Sequence, residues 1–131
     1  MSVYIQPILE IMRRVLVVED NDLNLKLFRD LLAIKHCDVI TSREGHDAVA
    51  LAKSEHPDLI LMDIQLSGIS GIDINKTLKS TADTSKIPII AVTAFAMKQD
   101  EIKIMQSGCD MYLSKPVSIN QFFDAVAKYL E

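Results

Sequence analysis

Tryptophan is absent and aromatic residues make up only 5% of the chain, which leaves few platforms for stacking single-stranded bases. A basic surplus is also missing. Lys and Arg total 14 against 18 Asp and Glu, a net charge of -4, which argues against a nucleic-acid binder. The two cysteines, Cys37 and Cys109, form no CxxC and have no histidine at metal-ligand spacing. They read as reduced core thiols. No apolar run approaches the ~18 residues that span a membrane. No G-x-x-x-x-G-K-[ST] loop is present to cradle a nucleotide. The first residues are mildly apolar (Tyr4, Ile5, Ile8, Leu9, Ile11) but lack a basic start and include Glu10, a poor signal peptide. Linkers, repeats and low-complexity stretches are likewise missing. What remains is 131 residues, 49% hydrophobic and 24% charged. That composition gives one globular domain able to bury roughly two-thirds of its unfolded surface. A cytoplasmic protein is expected. Residues 1–12 read as an extension, native or from an alternative start, and 13–131 as the domain.

Short continuous apolar runs mark strands buried on both faces. Val15 to Val18, Leu59 to Met62, Ile89 to Val92 and Met111 to Leu113 qualify, with Val39 to Thr41 weaker. Helical spacing lies between them: Leu23, Leu27, Leu31 and Ile34; then Ala48, Val49 and Ala52; then Ile74 and Leu78. Ile102 and Met105 mark a weakly amphipathic fourth helix that Gly108 can end in a left-handed cap. Ile119, Phe122, Phe123, Val126 and Leu130 mark the last, opened by the capping box Ser118-Ile119-Asn120-Gln121. Pro57 and Pro88 stand just before strands, where a helix has to have stopped. Five βα repeats imply an α/β fold, a parallel sheet doubly wound by helices. The chain ends inside the fifth helix, so no output domain is expected.

In such a sheet, ligands collect at the carboxyl ends of the strands. Glu19 and Asp20 follow the first strand, Asp63 the third, Thr93 the fourth, and Ser114-Lys115-Pro116 the fifth. Any single acid there is ordinarily a loop charge or a cap. The joint pattern is not, because each group falls at a different strand end in a complementary chemical role. Two like charges ~4 Å apart cost about 4 kcal/mol at an effective dielectric of ~20. Three carboxylates in one crevice therefore call for a cation or raised pKa values. Hard oxygen ligands in a shallow crevice suit Mg²⁺. With Lys115 and the Thr93 hydroxyl, they make a trap for a phosphoryl group passing to a carboxylate.

Four motifs, VLVVEDN (Val15 to Asn21), LILMDIQLSGISG (Leu59 to Gly71), AVTAFA (Ala91 to Ala96) and YLSKP (Tyr112 to Pro116), resemble the receiver domain of two-component response regulators. The resemblance runs from about Arg13 to Leu130. EDNDLNLKLF, DLILMDIQL and AVTAFAMK are especially similar to single-domain cell-cycle regulators of alphaproteobacteria. It implies a flavodoxin-like five-stranded sheet in the order 2-1-3-4-5. It further implies that Asp63 accepts a phosphoryl group from a histidine kinase. Mg²⁺ would be held by Asp20, Asp63 and the backbone carbonyl of Gln65, with Glu19 acting mostly through a metal-bound water. Lys115 would pair with Asp63 and then with a phosphoryl oxygen. Thr93 would bond another oxygen, and Tyr112 would turn inward as Thr93 moves. Gln65 and Phe95 would flank the phosphoryl group, and the Lys115–Pro116 bond would be cis.

One departure concerns Ser67, where the family commonly has proline four residues after the acceptor. Serine does not fix φ, so a looser Asp63–Gly71 loop is expected. The resemblance also implies an α4–β5–α5 surface that changes shape on phosphorylation, with Asn21, Asp22 and Lys26 on the first helix as kinase-docking candidates. The implied partners are histidine kinases and a histidine phosphotransferase, with no nucleic acid or membrane, in a monomer or weak dimer. The competing role is a phosphorelay shuttle or phosphate sink. An independent Asp-nucleophile phosphatase fits less well, because such enzymes usually place a second Asp where Gln65 stands.

Overall fold

The computed structural model describes residues 12–94 and 97–130. Five strands alternate with five helices: β1 (Arg14–Val18), α1 (Asp22–Ile34), β2 (Asp38–Ser42), α2 (Ala48–Glu55), β3 (Leu59–Asp63), α3 (Gly71–Ser80), β4 (Ile89–Thr93), α4 (Lys98–Gln106), β5 (Met111–Ser114) and α5 (Ile119–Leu130). The strands form one parallel sheet in the order β2-β1-β3-β4-β5, the doubly wound arrangement expected. Residues 1–11 of the expected extension lie outside the described residues, as does Phe95. No helix among the described residues is long and apolar enough to cross a membrane.

Side chains alternate along a strand, so the sheet builds two cores. Val15, Val17, Leu59, Leu61, Ile90 and Val92 pack beneath α1 and α5. Leu16, Val18, Ile60, Met62, Ile89 and Ala91 pack beneath α2, α3 and α4. Because both faces are covered, β1, β3 and β4 read as unbroken apolar runs. The edge strands β2 and β5 are mostly half-buried. The rings of Phe28 and Phe122 stack at 5.5 Å and 5°, joining α1 to α5.

Helix ends follow their sequence signals. The Asn21 side chain caps α1 by accepting from Asn24 N, and Ser70 caps α3 by accepting from Ile72 N. The Ser118 hydroxyl accepts from Gln121 N at 3.1 Å. Gly108, at φ +98°, follows the end of α4. Helix faces are less faithful. On α1 the buried side chains are Leu25, Phe28, Leu31 and Leu32, whereas Leu23 is 77% and Ile34 62% exposed. The stripe read from sequence was rotated, because α1 carries leucines on both sides and spacing alone does not choose between them. On α4 the buried residue is Ile104; Ile102 and Met105 are exposed. Ile119 is also exposed, since it stands at the first turn of α5.

Candidate functional site

Register brings the strand ends together. Val18 pairs with Met62, Asp63 with Val92, and Thr93 with Ser114. Glu19 and Asp20 thus emerge beside Asp63, and Lys115 follows β5 next to Thr93, whose carbonyl accepts from Lys115 N at 2.7 Å. Glu19, Asp63 and Thr93 are buried and Asp20 is half-buried. One carboxylate oxygen from each of Glu19, Asp20 and Asp63 lies within 4.8 Å of the others.

Lys115 Nζ stands 3.1 Å from Glu19 Oε1 and 3.4 Å from Asp63 Oδ1. The ammonium therefore bridges Glu19 and Asp63. Its attraction lowers the Glu19 pKa, but burial and the neighbouring Asp63 carboxylate outweigh it and push Glu19 up to about 7. That is the expected response of like charges crowded away from water. A divalent cation would relieve the same repulsion. The all-oxygen donor set, with one acid reachable from solvent, fits a hard cation such as Mg²⁺.

The β3–α3 loop supplies contacts that the sequence did not disclose. Gln65 N donates to Asp63 Oδ1 at 2.9 Å, and the Gln65 carboxamide accepts from Ala94 N at 2.8 Å. The side chain of Gln65, assigned in sequence chiefly for its backbone carbonyl, thus ties this loop to the residue after Thr93. Ser67 N donates to Asp20 Oδ2 at 2.9 Å. The loop expected to be loose carries a tether to the first strand's loop. Gly71 opens α3 against the acceptor strand. A Cβ there would sit 2.5 Å from the Asp63 carbonyl oxygen and 2.7 Å from Ile64 Cα, so only glycine lets α3 approach this closely. The signal available in sequence was the Ser70 cap directly before it.

Outside the crevice, Tyr112 is half-buried against the α2–α4 core. The nearby Glu101 carboxylate of α4, with partial burial, raises its phenol above the usual value. Asn21, Asp22 and Lys26 are exposed but engaged: Asn21 caps α1, Asp22 pairs with Arg43, and Lys26 bridges Asp30 at 2.7 Å. The Lys115–Pro116 bond is cis.

Known proteins resemble this chain in fold and sequence. The receiver domain of a Pseudomonas aeruginosa sensor histidine kinase, solved with a magnesium ion coordinated in its active site cleft, superposes with a TM-score of 0.84. It is 28% identical and covers 91% of this chain and 98% of that one. Vibrio cholerae chemotaxis protein CheY4 reaches 0.84 at 20% identity over 90% and 98%, a likeness of fold alone. The polar-differentiation response regulator DivK of Brucella ovis is 51% identical over 118 residues, 90% of this chain and 96% of its own length. That of Brucella anthropi is 50% identical over the same extent. With the response regulator receiver domain profile matched across residues 15–127 and half of the 118 aligned positions shared with the Brucella DivK, this chain belongs to the receiver domain family of two-component signalling.

Proposed function

We propose that the chain is a phosphorylation-controlled switch in which Asp63 takes a phosphoryl group from a histidine kinase. The observation that carries this is the convergence of three carboxylates within 4.8 Å of one another, two of them bridged by one ammonium that stands 3.4 Å from Asp63. An Asp63 oxygen attacks phosphorus, the P–N bond to the kinase imidazole breaks, and the imidazole leaves as the P–O bond of a mixed anhydride forms. Mg²⁺, when bound by Asp20, Asp63 and the Gln65 carbonyl with Glu19 nearby, supplies neutralising charge to the phosphoryl oxygens. Lys115 shifts its pairing from the carboxylates to a phosphoryl oxygen, and the Thr93 hydroxyl bonds another.

Movement of Thr93 frees space for Tyr112 to turn inward, changing the α4–β5–α5 surface. Met97, Ile102 and Met105, exposed at α4, suit a face that trades partners. The name of the Brucella relatives refers to polar differentiation. A comparable role in cell division or polarity is the reading we adopt, with a cytoplasmic monomer or weak dimer acting on histidine kinases.

The test uses a phosphorylated histidine kinase as donor. Label is expected to pass to the wild type and not to Asp63→Asn, and the phosphorylated form is expected to bind a kinase more tightly than the unphosphorylated one. Transfer without any change in binding, followed by rapid passage to a histidine phosphotransferase, would replace the switch with the shuttle.

A further inference from the structure

We propose that the backbone N–H of Ser67 is a positioning group for the cation site, holding the Asp20 carboxylate in the crevice by the 2.9 Å bond to its Oδ2. The inference rests on the reading of Glu19, Asp20 and Asp63 as that site.

Asp20 is the least secured of the three acids. Glu19 is buried, holds Lys115 and accepts from Asn21 N; Asp63 is buried, also faces Lys115 and accepts from Gln65 N. Asp20 is half-buried in the loop before the α1 cap. Among the described residues, no other hydrogen bond or ion pair reaches its carboxylate. Repulsion from Glu19 and Asp63 drives such a side chain toward water. The Ser67 amide opposes this with a charge-assisted bond across two loops. A carboxylate can accept an amide at one oxygen and serve a cation with the other, so bond and ligation are compatible. Hydrogen bonds of this kind orient metal-ligating carboxylates, and their loss typically costs 10–100-fold in affinity.

The donor belongs to the main chain. The Ser67 hydroxyl makes no hydrogen bond among the described residues, so serine matters here chiefly for what it is not. Proline, common at this position in the family, has no N–H and cannot form the tether. Where sequence suggests only a looser turn, this chain substitutes a hydrogen bond for a fixed φ.

Mg²⁺ titration calorimetry on the full chain, with wild type, Ser67→Ala and Ser67→Pro, separates backbone from side chain. Wild type and Ser67→Ala are expected to bind alike, and Ser67→Pro about tenfold more weakly. Amide exchange at Ser67 of the wild type is the second readout, with protection expected to persist when Mg²⁺ saturates the protein. It decides alone if Ser67→Pro fails to fold. Equal or tighter binding by Ser67→Pro, equal weakening in Ser67→Ala, or loss of Ser67 protection on adding Mg²⁺ would each overturn the proposal. No Mg²⁺ binding by the wild type would overturn the cation site itself.

Discussion

Glu19 concentrates the electrostatics of the site at one residue. Its pKa is raised from 4.5 to about 7 by burial first and by Asp63 second. A group whose folded pKa lies above its unfolded value stabilises the fold fully below the unfolded value, and that contribution is lost as pH rises through the folded one. In cation-free protein, the denaturant midpoint is therefore expected to fall between pH 5 and pH 8, with a flatter profile in Glu19→Gln. A cation and a proton compete for the same cluster, so Mg²⁺ affinity measured by calorimetry is expected to weaken below about pH 7. A different residue-scale strain sits at the end of α1. His36 has φ 59°, with its N–H on Ala33 O and that of Cys37 on Leu32 O. That is a Schellman closure at a position where glycine is preferred. His36→Gly is expected to stabilise by about 1 kcal/mol in equilibrium unfolding, with the chemistry untouched.

At the scale of the helix, burial separates positions that look alike in sequence. Leu32, fully buried on the inner face of α1, is expected to cost about 2–5 kcal/mol when changed to Ala. Leu23, 77% exposed, is expected to change stability by no more than about 0.5 kcal/mol. Denaturant melts of the two variants check the rotation of the helix directly. At the start of α3, Gly71→Ala forces a Cβ onto backbone atoms of Asp63 and Ile64. It is expected to cost about 1–3 kcal/mol and to slow phosphorylation by displacing Asp63. What was legible in sequence follows the same division. Strands were readable because burial on both faces leaves Val15 to Val18, Leu59 to Met62 and Ile89 to Val92 wholly apolar. Caps at Ser118 and Gly108 were readable because they are local. The face of α1 was not, because its orientation is set by docking against sheet residues and Phe122, far along the chain.

Across the whole molecule, one parallel sheet divides the labour. Its two apolar layers fix the helices, and its carboxyl edge gathers groups from four strand ends. The acids, Thr93 and Lys115 were legible because chemistry at a strand end is tied to sequence position. The amide contacts of Gln65 and Ser67 were not, since backbone donors have no sequence signature. The bridging of Glu19 by Lys115 was hidden for a related reason: it depends on distances between side chains 96 positions apart. The most direct test is intact-mass analysis of the full chain after incubation with acetyl phosphate and Mg²⁺, beside Asp63→Asn. One phosphoryl group is expected on the wild type, absent when Mg²⁺ is chelated, and none on the variant. A phosphoryl group retained by Asp63→Asn would contradict the assignment of Asp63 as acceptor. So would a wild type that neither gains mass nor binds beryllofluoride.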